Sequence, residues 1–332
     1  MTAYDVIGDI HGSADKLEKL LATLGYDVID GAHRHPDRLA VFVGDLVDRG
    51  DSQVEVVRIV RAMRDAGSAL VVMGNHEFNA ISWATPNPDV DGDFMRTHEG
   101  RRGAHNRKQH KTYLDQVVEH SPLHREHIEW FRTLPLYLEL DGIRIAHACW
   151  HPDSLAVLDA GVTPGTPMSD AFVVKANTRG TVEFAAIEVV LKGPEVHLPP
   201  EWAWQDPEGT LRHSARLSWW DDKATTLRTM AQIPSDSKFE DGSLHPGLPD
   251  EPSDVADAYR YRDPVPIFFG HYWFTGTPRP AASYAACVDY SAVRDGGSLV
   301  AYRWDSPGPL DMANFVSFDR SGADSAVAAD RN

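Results

Sequence analysis

The chain has 332 residues, 42% of them hydrophobic and 24% charged, the composition of a packed globular protein, which excludes disordered and fibrous classes. Its formal net charge of -17 at pH 7 gives no long-range attraction for duplex nucleic acid. No run approaches the roughly 18 apolar residues of a membrane span, the first residues lack the basic-then-apolar order of a signal peptide, and Cys149 and Cys287 are too few for a disulfide framework. A cytoplasmic protein with reduced, buried thiols is expected.

In chain order, YDVIG is a short β-branched run ending in glycine, and RLAVFVG and SALVVMG repeat the form; such runs read as buried strands. Between the first two, Leu17, Leu20, Leu21 and Leu24 recur at helical spacing behind Ser13, which is placed to cap a helix. Between the second and third, Val54, Val57, Ile59, Val60 and Met63 form an apolar face that Gly67 ends. Strand, helix, strand, helix, strand predicts βαβ units, partly parallel pairing and an α/β fold. LPLYLELDGIRIAHACW reads as a hairpin turning at Asp141 and Gly142 that delivers His147 from a strand end, VPIFFGHYW does the same for His271, and GGSLVAYRW adds a strand near the C-terminus.

Two stretches break this regularity. Residues 80–133 hold a Pro/Asp/Gly loop, the basic piece RRGAHNRKQHK and two predicted helices. Residues 151–265 contain AFVVKANTRGTVEFAAIEVVLKGPE, followed by Trp-rich, Pro-rich and acidic segments. The expectation is one domain over 1–320, with a helical insertion at about 80–133, a substrate-side insertion at about 151–265 and a flexible tail at 321–332.

Ligands of α/β sheets bind just past the carboxyl ends of strands. Standing there are Asp9, His11, Asp45, Asp48, Arg49, Asn75, His76, His147 and His271. Carboxylates, imidazoles and an amide oxygen without thiolates suit manganese, iron or zinc and argue against a structural zinc site. They outnumber what one tetrahedral ion needs; two ions about 3.5–4 Å apart, bridged by a carboxylate, would use them. A lone Gly-Asp after a strand is commonly only a turn, so it is the ordered set that carries the inference.

GDIHG, GDLVDRG and GNHE in this order resemble the calcineurin-like metallophosphoesterases of the phosphoprotein phosphatase type, among them bacterial serine/threonine phosphatases and symmetrical diadenosine tetraphosphatases. The resemblance covers residues 4–78 and resumes at LPLYLELDGIRIAH, FFGHYW and CVDYSAVRDGGSLVAYRW. It implies a four-layer αββα sandwich of two mixed β-sheets flanked by helices, with an inserted subdomain. It also implies that Asp9 and His11 hold a first ion, that Asp45 bridges, and that Asn75, His147 and His271 complete a second. Arg49 would grip phosphate oxygens, and His76, oriented by Asp48, would protonate the leaving group. A water or hydroxide between the ions would attack phosphorus in line, with no phosphoenzyme. Manganese is the expected metal, with iron or zinc as alternatives.

The pattern departs in two places: HACW stands where His-Gly-Gly is usual, and VDYS where Asp-Thr-Gly is. Cys149 and Trp150 add bulk there, His151 is a further donor or a packing residue, and a Cys149 nucleophile is not required. The family's further phosphate-gripping arginine has no unique counterpart; Arg179, Lys192 and Arg216 are the candidates. Glu77 is expected to orient the turn after His76. Trp202, Trp204, Trp219 and Trp220 read as core before they read as a stacking platform, and RRGAHNRKQHK reads as a solvated helix face before a basic rim.

The expected function is hydrolysis of phosphate monoesters, with phosphoserine and phosphothreonine in proteins as candidate substrates. A dinucleoside polyphosphate hydrolase is the alternative, and a catalytically silent metal-binding scaffold is a third reading, disfavoured because Asp48, Arg49 and His76 accompany the ligands. The expected partner is a phosphopeptide, small phosphoester or nucleotide, with no duplex nucleic acid and no membrane.

Overall fold

The computed structural model describes residues 2–163, 165–206, 209–234, 237–250 and 259–318; the expected tail at 321–332 lies outside them. The elements run β1 (Ala3–Ile7), α1 (Ala14–Leu24), β2 (Asp27–Ile29), β3 (Ala32–Arg34), β4 (Arg38–Phe42), α2 (Gln53–Asp65), β5 (Ala69–Val71), α3 (Asn75–Ala84), α4 (Gly100–Val117), α5 (Pro122–Phe131), β6 (Tyr137–Leu140), β7 (Ile143–Ala146), α6 (Pro152–Gly161), α7 (Asp170–Asn177) and α8 (Val182–Lys192). Five short strands and one short helix follow: β8 (Glu195–His197), β9 (Trp204–Gln205), β10 (Leu211–Arg212), β11 (Ser214–Leu217), α9 (Leu227–Met230) and β12 (Ala231–Gln232). The chain ends with β13 (Ile267–Phe269), β14 (Ala285–Cys287), β15 (Asp289–Tyr290), β16 (Ser298–Trp304) and β17 (Phe315–Phe318).

Two mixed sheets build the larger of two compact units, whose described residues fall within 2–191 and 264–318. In the first, β1 pairs parallel with β4 and β4 with β5, while β16 runs antiparallel to β1 and also pairs with β15 and β17. In the second, β7 and β14 flank β13 in parallel and β6 closes the hairpin on β7. Strand side chains alternate between faces, so Tyr4, Val6, Val41 and Val43 of one sheet meet Ile143, Ile145, Phe268 and Ala286 of the other in a single buried cluster. Helices flank the pair, with α1 against β16 and β17 and α2 against β5. This is the αββα sandwich that the motif resemblance implied.

Helix α1 buries Leu17, Leu20, Leu21 and Leu24, the expected stripe, and Gly25 ends it in the left-handed region. Ser13 precedes it as expected, but its side chain makes no capping bond. Helix α2 ends at Asp65, ahead of Gly67 at φ 69°. Residues 170–192 form α7 and α8, separated by a turn that carries Arg179.

The described residues within 192–263 form the second unit. It has its own apolar centres around Leu198, Ala215 and Leu248 and around Leu217, Ala224 and Met230. Trp219 and Trp220 are buried there, and Trp202 and Trp204 pack against the first centre. Among the described residues no helix is long and apolar enough to cross a membrane.

Candidate metal centre

The expected residues project from the carboxyl ends of five strands: Asp9 and His11 after β1, Asp45, Asp48 and Arg49 after β4, Asn75 and His76 after β5, His147 after β7 and His271 after β13. His11, Asp45, Asp48, Arg49 and His271 all have positive φ, between 47° and 76°. Non-glycine residues in this region are strained, and their concentration here means the surrounding structure holds them for what their side chains reach. The two leading glycines do different jobs. Gly44 turns the chain at φ 96°, whereas Gly8 is needed for space, since a Cβ there would lie 1.9 Å from the Val288 carbonyl oxygen.

Two groups emerge, His11–Asp45–His76 and Asp45–His147–His271, each with its donor atoms within 4.8 Å of one another. Asp45 belongs to both through different oxygens: Oδ2 lies 3.6 Å from His11 Nε2 and 3.8 Å from His76 Nε2, and Oδ1 lies 3.4 Å from His147 Nε2. Asn75 Oδ1 is 3.1 Å from His147 Nε2, and Asp9 Oδ2 accepts the His271 backbone N–H at 3.1 Å. Two imidazoles are aimed by the same device: His11 Nδ1 donates to the Val47 carbonyl and His147 Nδ1 to that of Val43, each at 2.8 Å. Fixing one ring nitrogen on a carbonyl turns the other into the site.

These groups fit a pair of divalent ions. Asp9 Oδ1 and His11 Nε2 are buried with no hydrogen-bond partner among the described residues, an arrangement that is costly unless a cation takes the lone pairs. Burial, with the charges of Arg49 and His76, lowers His11 to about 3, leaving a neutral imidazole whose lone pair is available. Burial and the Asp289 carboxylate raise Asp9 well above the usual range; a bound cation would reverse that. Burial also opposes ionisation of Asp45, but His147 and His76 outweigh it and hold this carboxyl well below the ordinary value. A Cβ on Gly270 would come within 2.0 Å of Asp9 Oδ1, so that position keeps the cradle open.

Glu77 is the internal brace. Fully buried, it accepts backbone N–H groups from Asp45 and Gly74 on Oε2 and from Leu46 and Val47 on Oε1, at 2.9–3.3 Å. It ties the loop after β4 to the start of α3; the expected role is to orient the turn after His76, whereas the backbone groups it holds all precede His76.

His76 Nδ1 sits 2.5 Å from Asp48 Oδ2. Its ring is 13% exposed, against 2–3% for the side chains of His11, Asp45 and Asp48, so it stands where a substrate's leaving group could reach it. The other oxygen of Asp48 accepts from His110 Nδ1 of α4 at 2.7 Å. Burial would raise Asp48, but His110 and His76 drive it well below the carboxylate range. Sequence reading placed His110 in a basic, solvated piece; the helix instead turns Gly103, Asn106, His110, Tyr113, Leu114 and Val117 inward. That three-and-four spacing was the available signal.

Arg49 lies over the Trp273 ring at 4.2 Å, and Arg294 over the same ring at 4.4 Å. The Trp273 backbone is anchored on buried Asp289, which also takes the Ser291 N–H. None of Trp273, Asp289 and Arg294 was singled out from sequence. Of the three candidates named for a second phosphate grip, Arg179 is exposed between α7 and α8, Lys192 ends α8 and Arg216 lies on β11 of the second unit. His151 caps α6 by accepting the Ser154 N–H, and Trp150 packs on Tyr137 and Arg144. Cys149 is fully buried and burial pushes its thiol up, which removes it as a nucleophile.

The model of the family described as calcineurin-like phosphoesterase matches residues 4–272. The chain is similar to the asymmetrical bis(5'-nucleosyl)-tetraphosphatase of Halalkalibacterium halodurans, 49% identical over 74 residues, which are 22% of this chain and 30% of that protein. It is also similar to the symmetrical bis(5'-nucleosyl)-tetraphosphatase of Haemophilus influenzae, 24% identical over 304 residues, 90% of this chain and 92% of that protein. Across four asymmetrical relatives the chain spans 30–60% of their length. Among solved structures, a protein serine/threonine phosphatase from Saccharomyces cerevisiae is similar at 14% identity and TM-score 0.46, covering 96% of this chain and 79% of that one.

Proposed function

We propose that this chain, which belongs to the calcineurin-like phosphoesterase family, hydrolyses phosphate monoesters with two divalent ions, manganese first among the candidates. The observation that carries this reading is Asp45, buried, with one oxygen turned to each of two histidine groups. Asp9 and His11 would hold one ion, Asn75, His147 and His271 the other, and Asp45 both. Bound there, the ions would supply Lewis acidity and an acidified water nucleophile.

The chain's own residues supply the rest. Arg49 presents a planar fork of donors to phosphate oxygens and is kept from collapsing into the centre by its stack on Trp273. His76 donates a proton from Nε2 to the departing oxygen, because Asp48 takes its Nδ1–H and so fixes the tautomer. Burial works against charge on His76, yet Asp45 and Asp48 raise its pKa overall, which favours the protonated form an acid needs. A scaffold without catalysis would have no use for this acid and its orienting carboxylate.

Dinucleoside polyphosphate hydrolysis is the second reading. Two things favour it: the names of the curated relatives and a second guanidinium, Arg294, on the ring that carries Arg49, which suits a ligand with more than one phosphate.

Metal-stripped protein restored with manganese, offered a phosphoserine peptide and diadenosine tetraphosphate side by side, separates these. Preference for the peptide supports the first reading and preference for the dinucleotide the second. His76→Asn should lower kcat by roughly 10²–10⁴ on the preferred substrate. No hydrolysis of either with both metals bound would sink both.

A further inference from the structure

Asp48 has two imidazole partners, and the proposed reaction uses only one. The second, His110, is 1% exposed, comes from a different helix, and donates to the oxygen that His76 leaves open. The terminal torsion of an aspartate is broad and roughly two-fold, so a carboxylate bonded through one oxygen can swivel and carry its partner with it. A second ring on the other oxygen removes that freedom.

The backbone beneath needs the same help. Asp48 and Arg49 are consecutive residues at φ 69° and 76°, a conformation that persists only when neighbours over-determine it. Helix α4 grips this loop again one turn and a half beyond His110: Gln116 accepts the Gln53 N–H at 2.8 Å and donates to the Asp51 carbonyl at 2.7 Å. Gln53 in turn accepts the Asp48 N–H at 2.6 Å. His110 is itself held by Tyr113, ring centroids 4.8 Å apart.

We infer that His110 is a positioning residue: through Asp48 it fixes the direction in which His76 presents Nε2 to the leaving group. The inference rests on the phosphoester-hydrolase reading for its catalytic meaning, but its geometry can be tested separately.

Three variants divide the possibilities. His110→Leu removes the donor, His110→Gln keeps an amide but places it at the Nε2 position out of reach of Asp48, and His110→Asn places an amide N–H where Nδ1–H was. Manganese-loaded protein is assayed on p-nitrophenyl phosphate, whose phenolate departs unaided, and on phenyl phosphate, which needs a proton. On phenyl phosphate, His110→Leu and His110→Gln should lose roughly 10–100-fold in kcat with KM within about twofold, His110→Asn should recover most of it, and p-nitrophenyl phosphate should lose several-fold less, within the range of general acid catalysis. Equal losses on both substrates, a loss confined to KM, or no rescue by asparagine overturns the proposal.

Proton NMR of the metal-free protein is the second readout. Wild type should show two downfield Nδ1–H signals from rings on Asp48. His110→Asn should lose one and keep the other in place, whereas His110→Gln should displace the remaining His76 signal. An undisturbed His76 signal in His110→Gln overturns the positioning role even in a protein inactive on both phosphates. Wild-type inactivity with both metals bound would instead count against the hydrolase reading.

Discussion

The loops that follow β4 and β7 both end in the candidate centre, yet they are built on opposite principles. The first carries Asp45, Asp48 and Arg49 within five residues, all at positive φ. Its backbone N–H groups are handed to side chains: those of Asp45, Leu46 and Val47 to Glu77, and that of Asp48 to Gln53. The second delivers His147 alone. Ala148, Cys149 and Trp150 follow it at 0%, 0% and 5% exposure, none of them at positive φ, tied by two backbone bonds to the Val190 carbonyl. One side chain per strand end can be placed by apolar packing and a single bond to a carbonyl, here that of Val43. Three side chains aimed in different directions require left-handed backbone, at about 1–3 kcal/mol per residue, and a polar scaffold to offset it.

That contrast can be broken most sharply at Glu77. Glu77→Gln replaces one of two acceptor oxygens with an NH2 group facing backbone N–H donors, and should cost about 3 kcal/mol in urea unfolding and 10–100-fold in manganese affinity. The comparison belongs at pH 8, above the value of about 7 to which burial and Asp45 raise this carboxyl. A cost under about 1 kcal/mol would mean that packing alone holds the loop.

Acid should find the same side of the molecule. On α5, behind α4, His124 and His127 are 2% and 4% exposed and burial lowers both to about 4. An unfolded histidine takes its proton near 6.5, so between pH 6.5 and 4 the unfolded chain binds more protons and native stability falls as pH drops. Each imidazole contributes a slope of at most about 1.4 kcal/mol per pH unit. Urea midpoints at pH 6.5, 5.5 and 4.5 should flatten in the His124→Gln/His127→Gln protein; parallel curves would place the acid sensitivity elsewhere.

The smallest effect belongs to the packed loop. Cys149→Ala should cost about 1 kcal/mol for the small void it leaves, with manganese affinity unchanged in a calorimetric titration. A tenfold loss of affinity would show that the Cys149 side chain itself, and not only the bond to the Val43 carbonyl, sets the direction of His147.

The sequence is most transparent where one residue type has one use. Leucines at helical spacing point to one role, and the three Gly-Asp and Gly-Asn-His motifs do so as an ordered set after apolar runs; the first strands and helices of the larger unit follow from them. His110 was hidden because its helix buries a polar face, so charged neighbours argued for solvent while only the spacing of Tyr113, Leu114 and Val117 argued against it. Arg294 and Trp273 were hidden for another reason: a cation and a ring 21 positions apart meet only through the loop that Asp289 anchors. In the second unit, strands of two to four residues are too short for any periodicity to register.

The central position of β1 has a consequence for the making of the protein. β1 pairs on one side with β4, which is synthesised almost at once, and on the other with β16, which leaves the ribosome nearly the whole chain later. At 5–20 residues per second that interval is roughly 15–60 s, during which one edge of β1 has no strand to pair with, the condition in which sheets recruit foreign strands. The bond from His271 to Asp9 waits on the same late third of the chain. Closure of the candidate centre therefore waits until residue 271 has been made, and a nascent chain stalled before it would hold its leading motifs and His147 without the His271 that completes the second group.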